Sequence, residues 1–279
     1  MREVYIVDAF TERSFTGNPA GVVPQADGLA DESMQRIAAE LRCSETAFIL
    51  ESDDAYLRIR FFTPAREVDL CGHATIAAFH VLATTTDLPR QITMEARVGV
   101  LPVEIRSGAV YMQQAKPAFR SLDVDTPALA DALGLDESAI AGLPIEAAST
   151  GLWSLNVPLV SRTAMRHINP DFADIEDICI ESDVGALFAF TFDTVDEKNL
   201  VHSRCFAPCY GVNEDPVTGT ANGALGAYLR RHDLLESMQY TAEQGYELGR
   251  PGIVHVDVSG SEVWVGGSAV TTVSGHLNL

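Results

Sequence analysis

Apolar and polar positions along the chain alternate in short runs, broken by two longer stretches that are apolar on nearly every side. Arg2 to Phe10 reads as a first strand, and the turn residues Phe15 to Ala20 lead to a second at Gly21-Val22-Val23. Asp31 to Arg42 carries Met34, Ile37, Ala38 and Leu41 at helical spacing, with Asp31 as the expected N-cap. A polar corner at Cys43-Ser44-Glu45 then feeds the apolar run Ala47 to Leu50, and Tyr56 to Phe62 alternates as a half-exposed strand. Further strands are expected at 91–97, 99–106 and 109–114, then near 144–149, 154–161, 185–193 and 199–207. The last are expected at 238–243, 252–258, 262–266 and 268–274. Lys116 to Pro127, with two prolines and mixed charge, reads as a linker between domains, and a short helix is expected at 126–133.

The two exceptions are the stretches after Gly72 (Ala74, Ile76, Ala77, Ala78, Phe79, Val81, Leu82) and after Gly219. A helix apolar all round must be enclosed. The two stretches also match. With Gly72 placed on Gly219, Ala74 falls on Ala221, Ala77 on Ala224 and Leu82 on Leu229. Upstream, Phe62-Thr63-Pro64 corresponds to Phe206-Ala207-Pro208 with three extra residues in the second copy. The chain is therefore expected to use one unit twice: an extended run, a polar glycine-containing turn, then a buried helix. Each half is mostly strand around one central apolar helix, an α+β pattern unlike a doubly wound parallel sheet.

Composition narrows the chemistry. A net charge of −20 over 279 residues argues against a nucleic-acid partner. No apolar run is long enough to span a membrane, and Met1 leads directly into a strand-like segment. With five cysteines in no framework spacing, this suggests a cytoplasmic protein. The lysines are Lys116 and Lys198, neither placed to hold pyridoxal phosphate.

Glu45, at a corner beside an apolar run, suits a general base, although the spacing also fits a solvated strand-end glutamate. His73 heads the first buried stretch and reads either as a site residue or as a packed or capping histidine. His73 and His80 lack metal-site spacing, as do Cys205 and Cys209, so no metal is expected. Asp215 and Thr218 to Thr220 form the matching second turn, where local capping competes with a role in the same site as His73. The backbone around Gly72, Ala74, Thr218, Gly219 and Thr220 is expected to favour an anionic substrate group. No nucleotide fingerprint is present. Cys71 aligns with Thr218, so a thiol pair of the kind a two-base racemase needs is missing. Cys71 reads as a small buried residue.

Taken together, Phe15-Thr16-Gly17-Asn18-Pro19-Ala20, Ser44-Glu45-Thr46-Ala47-Phe48, Asp69-Leu70-Cys71-Gly72-His73-Ala74-Thr75 and Ser149-Thr150-Gly151-Leu152 resemble the phenazine-biosynthesis PhzF-like isomerase family, of diaminopimelate-epimerase-like fold. Glu214 to Ala221, Glu243-Gln244-Gly245, Gly249-Arg250-Pro251 and Val265 to Val270 extend the resemblance over essentially the whole chain. It implies two pseudo-symmetric domains, 1–115 with about 270–279 and 120–269, each a curved, mostly antiparallel sheet around a central helix, with the site between them. It further implies a homodimer, no cofactor, and a small carboxylate-bearing substrate of the cyclic amino-acid type. In the best understood family reaction a carboxylate moves a proton from C3 to C1 of trans-2,3-dihydro-3-hydroxyanthranilate. That carboxylate falls on Glu45, and the supporting residues fall on His73, Asp215 and Thr220, the last in place of the usual serine. An amino-acid racemase or epimerase on the same fold, or a non-catalytic binding relative, are the alternatives.

Overall fold

The computed structural model describes residues 1–278; Leu279, the end of the segment expected to return to the first domain, lies outside the described residues. The chain divides into two compact units. One comprises residues 1–113 and the C-terminal segment from Gly266, the other Gln114–Val265.

The first unit runs β1 (Arg2–Ala9), β2 (Asn18–Val23), α1 (Asp31–Leu41), β3 (Glu45–Leu50), β4 (Leu57–Phe62), β5 (Glu67–Val68), α2 (Gly72–Thr85), β6 (Gln91–Ala96), β7 (Gly99–Arg106) and β8 (Ala109–Gln113). Most pairings are antiparallel, but β2–β3 and β4–β6 are parallel. Helix α2 is enclosed as its composition demands: His73 to Phe79 and Val81 are all buried. Its end is set by three threonines. The hydroxyls of Thr84 and Thr85 donate to the Val81 carbonyl (2.9 and 2.8 Å), and that of Thr86 to the Leu82 carbonyl (2.8 Å). Helix α1 instead lies with one face on the sheet, burying Met34, Ile37 and Ala38.

The second unit runs β9 (Ala118–Ser121), α3 (Thr126–Ala132), β10 (Glu146–Ser149), β11 (Trp153–Pro158), α4 (Arg162–His167), α5 (Phe172–Glu181), β12 (Ala186–Thr191), β13 (Val201–Ala207), β14 (Val212–Asp215), α6 (Gly219–Arg231), β15 (Gln239–Gln244) and β16 (Gly252–Asp257). Strand β17 (Trp264–Gly267) spans the boundary, and β18 (Ala269–Leu277) pairs antiparallel with β1. The parallel pairings β11–β12 and β13–β15 repeat those of the first unit. Helix α6 is buried from Ala221 to Leu229. Here the strands close tightly on the helix: a Cβ on Gly226 would lie 2.6 Å from Val256 Cγ1, and one on Gly223 2.8 Å from Val265 Cγ2.

Three expectations need correction. Asp31 is not the N-cap of α1. Ala30 holds that position without a side-chain bond, and Asp31, the first helical residue, turns its carboxylate to Arg60 at 2.6 Å. The stretch 116–127 is not an open linker, because β9 within it pairs with β10. Beside its one enclosed helix, α6, the second unit also carries helices that the pattern did not show. α4 and α5, together with α3, bury Leu129, Met165, Ile175 and Cys179 in a further apolar core.

Candidate active site

Glu45 opens β3, directly beside Ala20 of the parallel strand β2, and is half-buried. His73 is the second residue of α2 and is buried. Their side chains meet: His73 Nε2 lies 3.3 Å from Glu45 Oε2 and 3.1 Å from Ser44 Oγ. Cys71, the extended N-cap residue of α2, places its Sγ 3.4 Å from His73 Nδ1 and 3.8 Å from Nε2. The first unit thus gathers a carboxylate, an imidazole, a thiol and a hydroxyl around one ring. The sequence singled out Glu45 and His73. It did not show that Ser44 and Cys71 touch the same imidazole. Gly72 and Ala74 stand in the first turn of α2, which has no side-chain cap bond.

The second unit gathers a different set. Asp215 ends β14, and its Oδ2 accepts a short bond, 2.5 Å, from the Thr218 hydroxyl. Gln244, at the end of β15, braces this corner. Its Nε2 donates to the Asp215 carbonyl (2.9 Å) and to Thr218 Oγ1 (3.1 Å), and its Oε1 accepts from Thr218 N and Asn222 Nδ2 (both 3.0 Å). Thr218, the N-cap residue of α6, makes no side-chain cap bond, its hydroxyl being turned to Asp215. The Thr218 N–H, expected to await an anion, is satisfied by Gln244. Gly219 is buried, and the Thr220 carbonyl accepts from Thr150 Oγ1 at 3.2 Å. Gln244 and Asn222 are the residues missed. Gln244 lies within a motif already singled out, but only the β13–β15 register brings it to Thr218.

The strand registers define which positions correspond. In the first unit Phe48 faces Arg60 and Glu45 faces Ala20; in the second Ala189 faces Arg204 and Ala186 faces Ser154. With Phe62 matched to Phe206, Arg60 falls on Arg204, and the register from there sets Glu45 against Ala186, a buried methyl group. Continuing the match of the two turns sets Cys71 against Thr218, His73 against Thr220 and Val68 against Asp215. The titratable cluster of the first unit has no copy at the matching positions of the second.

Among the described residues, Glu45, Cys71 and His73 also offer metal-ligating atoms within 4.8 Å of one another. No described helix is long and apolar enough to cross a membrane.

Comparison with known proteins places this arrangement. Residues 7–275 match the PhzC-PhzF family of phenazine biosynthesis-like proteins. The uncharacterized isomerase YfhB of Bacillus subtilis is 39% identical over 265 residues, covering 92% of this chain and 90% of its own. A crystal structure of a PhzF-family phenazine biosynthesis protein from Bacillus anthracis superposes with a TM-score of 0.92 at 33% identity. It covers 100% of this chain and 99% of its own. A hydroxyproline epimerase from Agrobacterium vitis shares the fold more distantly, with a TM-score of 0.60 at 12% identity over 99% of this chain and 93% of its own. The α+β architecture is thus of the epimerase-like kind, and the chain belongs to the phenazine biosynthesis-like PhzC-PhzF family and is an isomerase.

Proposed function

We propose that this isomerase moves a proton between two carbons of a small, carboxylate-bearing, cyclic amino-acid-like substrate, with Glu45 as its single general acid and base. The observation that carries this reading is the asymmetry of the strand registers: Glu45 stands beside His73, whereas the corresponding position is Ala186. One carboxylate can serve both half-steps. As carboxylate it takes a proton from carbon, and as carboxylic acid it returns a proton to a second carbon on the same face. His73 orients it, held in turn by Ser44. Asp215, fixed by Thr218 and with its backbone held by Gln244, and the Thr220 hydroxyl supply polar contacts to the substrate's amino and carboxylate groups. The family resemblance also supports a homodimer, which sedimentation velocity reads directly.

The test uses trans-2,3-dihydro-3-hydroxyanthranilate and a panel of cyclic β-hydroxy-amino acids in D₂O. Wild-type protein is expected to yield a rearranged product with deuterium at the new C–H bond, and Glu45→Gln to yield almost none while still binding a substrate analogue. Unaltered turnover in Glu45→Gln would remove Glu45 from the mechanism. A racemase reading has one observation in its favour, the contact of the Cys71 thiol with His73. It requires a Cys71→Ser enzyme that no longer inverts an α-carbon, with Glu45→Gln active.

A further inference from the structure

We infer that Gln244 is a positioning residue for recognition of the substrate's amino group: it fixes the direction of the hydrogen bonds at the head of α6 so that Asp215 meets the substrate as a carboxylate. The inference rests on the reading of Asp215 as a substrate contact. The orientation of the Gln244 amide is settled by backbone groups. Its Oε1 lies 3.0 Å from Thr218 N, which can only donate, and its Nε2 lies 2.9 Å from the Asp215 carbonyl, which can only accept. Asn222 is oriented in the same way, its Nδ2 donating to the Thr218 carbonyl at 2.9 Å and to Gln244 Oε1 at 3.0 Å. With the amide so set, Gln244 Nε2 also donates to Thr218 Oγ1 at 3.1 Å. The Thr218 hydroxyl therefore turns its one proton to Asp215 Oδ2. The other acceptor at hand is closed. Cys205, opposite Asp215 in the β13–β14 register, is pushed far above the ordinary thiol range by burial and then by the Asp215 charge, and stays a thiol. The bonds thus run one way, from Asn222 to Gln244 to Thr218 to Asp215, and a bond donated to a carboxylate favours its ionised form. A carboxylate held in this way favours a protonated amine over a neutral hydroxyl.

The first unit shows that the joint itself does not need this chain of bonds. With Arg60 on Arg204, Arg58 falls on His202, and the parallel registers then set Glu95 against Glu243 and Ala96 against Gln244. The residues matching Asn222, Gln244, Thr218 and Asp215 are therefore Thr75, Ala96, Cys71 and Val68. No amide and no carboxylate stands among them, yet the Arg60–Glu67 pair forms and α2 is enclosed. A buried methyl group is enough at the Ala96 position. Gln244 is just as buried, and burying an amide is unfavourable unless its donors and acceptors are matched. What the second unit carries in addition is Asp215, and the matched bonds of Gln244 lead to it.

The test measures Kd by calorimetry in full-length protein carrying Glu45→Gln, so that nothing is consumed. The ligands are trans-2,3-dihydro-3-hydroxyanthranilate and its counterpart with a hydroxyl in place of the amino group. Kinetic constants of the enzyme with Glu45 intact are read in parallel. Gln244→Ala, which installs the residue that the first unit carries, should weaken the amino compound about tenfold, the worth of one hydrogen bond. The hydroxyl counterpart should change little. In the kinetics the loss should fall on KM with kcat nearly unchanged, because the contact is made in ground and transition state alike. Added to Asp215→Asn, Gln244→Ala should cost almost nothing further, since the group through which it acts is gone. Thr218→Val, one link further along, should show the same selective loss and serves where Gln244→Ala folds poorly. A loss equal for both compounds, a loss confined to kcat, or an undiminished cost in the Asp215→Asn background each overturns the inference. Where Asp215→Asn weakens the amino compound but Gln244→Ala and Thr218→Val do not, the inference fails and the reading of Asp215 stands. Where Asp215→Asn changes nothing, that reading fails and takes the inference with it.

Discussion

Arg60 on β4 and Glu67 on β5 form a two-pronged ion pair, with Nε and Nη2 2.7 and 2.9 Å from the two carboxylate oxygens. Arg204 on β13 and Glu214 on β14 repeat it at 2.8 Å for both contacts. Each guanidinium also lies over a phenylalanine two residues on, Phe62 at 5.2 Å and Phe206 at 5.0 Å. The bond from the Thr75 hydroxyl to the Cys71 carbonyl (2.7 Å) is answered by Asn222 Nδ2 to the Thr218 carbonyl (2.9 Å). So the joint that delivers the chain from a strand into the buried helix is preserved almost atom for atom. The residues mounted on it are not: Glu45, Cys71 and His73 give way to Ala186, Thr218 and Thr220, and Val68 to Asp215. Packing and the pairing of buried charge constrain both copies alike, because an unpaired buried charge destabilises either. Under the proposed reaction, chemistry constrains only the side chains assigned to the substrate, and the two copies differ at those positions.

The largest expected effect tests that divergence. Glu45→Gln should lower kcat by about 10² to 10⁴-fold, the usual contribution of a general base. Thr220→Val, at the position matching His73, removes one hydroxyl and should cost about tenfold, the worth of one hydrogen bond. A Thr220→Val loss as large as that of Glu45→Gln, measured as kcat on the same substrate, would break the distinction between a unit that transfers the proton and one that holds the substrate.

Next in size is the shared joint. Glu214→Ala strands Arg204, whose side chain is 7% exposed, and should cost about 3–5 kcal/mol of stability. Glu67→Ala should cost less, about 1.5–3 kcal/mol, because Arg60 is more open and keeps Asp31 at 2.6 Å. Urea midpoints of the two variants check the order, and the reverse order would show that burial of the guanidinium and its second partner do not set the cost of stranding it. Gly226→Ala is a smaller probe. The first unit fills the matching slot with Phe79, whereas α6 brings Val256 within 2.6 Å of where the new Cβ would sit. Overpacking of about 1–3 kcal/mol, less about 1 kcal/mol of regained helix propensity, should leave a modest net loss in the same assay.

The sequence made α2 and α6 legible because an all-round apolar helix has only one solution, and it pointed to Glu45 and His73 through the turns that carry them. It did not disclose α4 and α5. Their caps, Ser161 to Ala164 N (3.2 Å) and Asp171 to Ala173 N (2.9 Å), are ordinary signals. They were masked because α5 exposes Ile180 while burying Ile175 and Cys179, which blurs the helical period. β9 was hidden for another reason: it is four residues long and little buried, so β10 and not its own pattern makes it a strand. The Gln244 brace and the Ala186 counterpart of Glu45 depend on strand register, which no local motif encodes.

The smallest expected effect concerns pH, and here the two units should respond with opposite sign. His80, on α2, is held below the ordinary imidazole range by burial. Its unfolded form binds the proton more readily, so the first unit should lose stability as pH falls through the unfolded value of about 6.5 and regain it above. His202, on β13, is fully buried, which by itself would lower its pKa. Its Nδ1 lies 2.8 Å from Glu243 and its Nε2 3.0 Å from Glu247, and the two carboxylates outweigh burial and hold it above the ordinary range. A raised pKa contributes stability fully present below about 6.5 and lost as pH rises through the folded value. The matching position of the first unit is Arg58, 3.6 Å from Glu95 and half-exposed, and a guanidinium does not titrate in this range. Amide exchange of α2 and of β13 between pH 5.5 and 8.5 (roughly one to two units either side of the imidazole midpoint), corrected for intrinsic rates, should therefore show protection rising with pH in α2 and falling in β13. His202→Gln keeps a donor toward one carboxylate and should flatten the β13 slope while leaving the α2 slope intact; His80→Leu should do the converse. A β13 slope that survives His202→Gln would mean that the Glu243–His202–Glu247 cluster does not set the alkaline limit of the second unit.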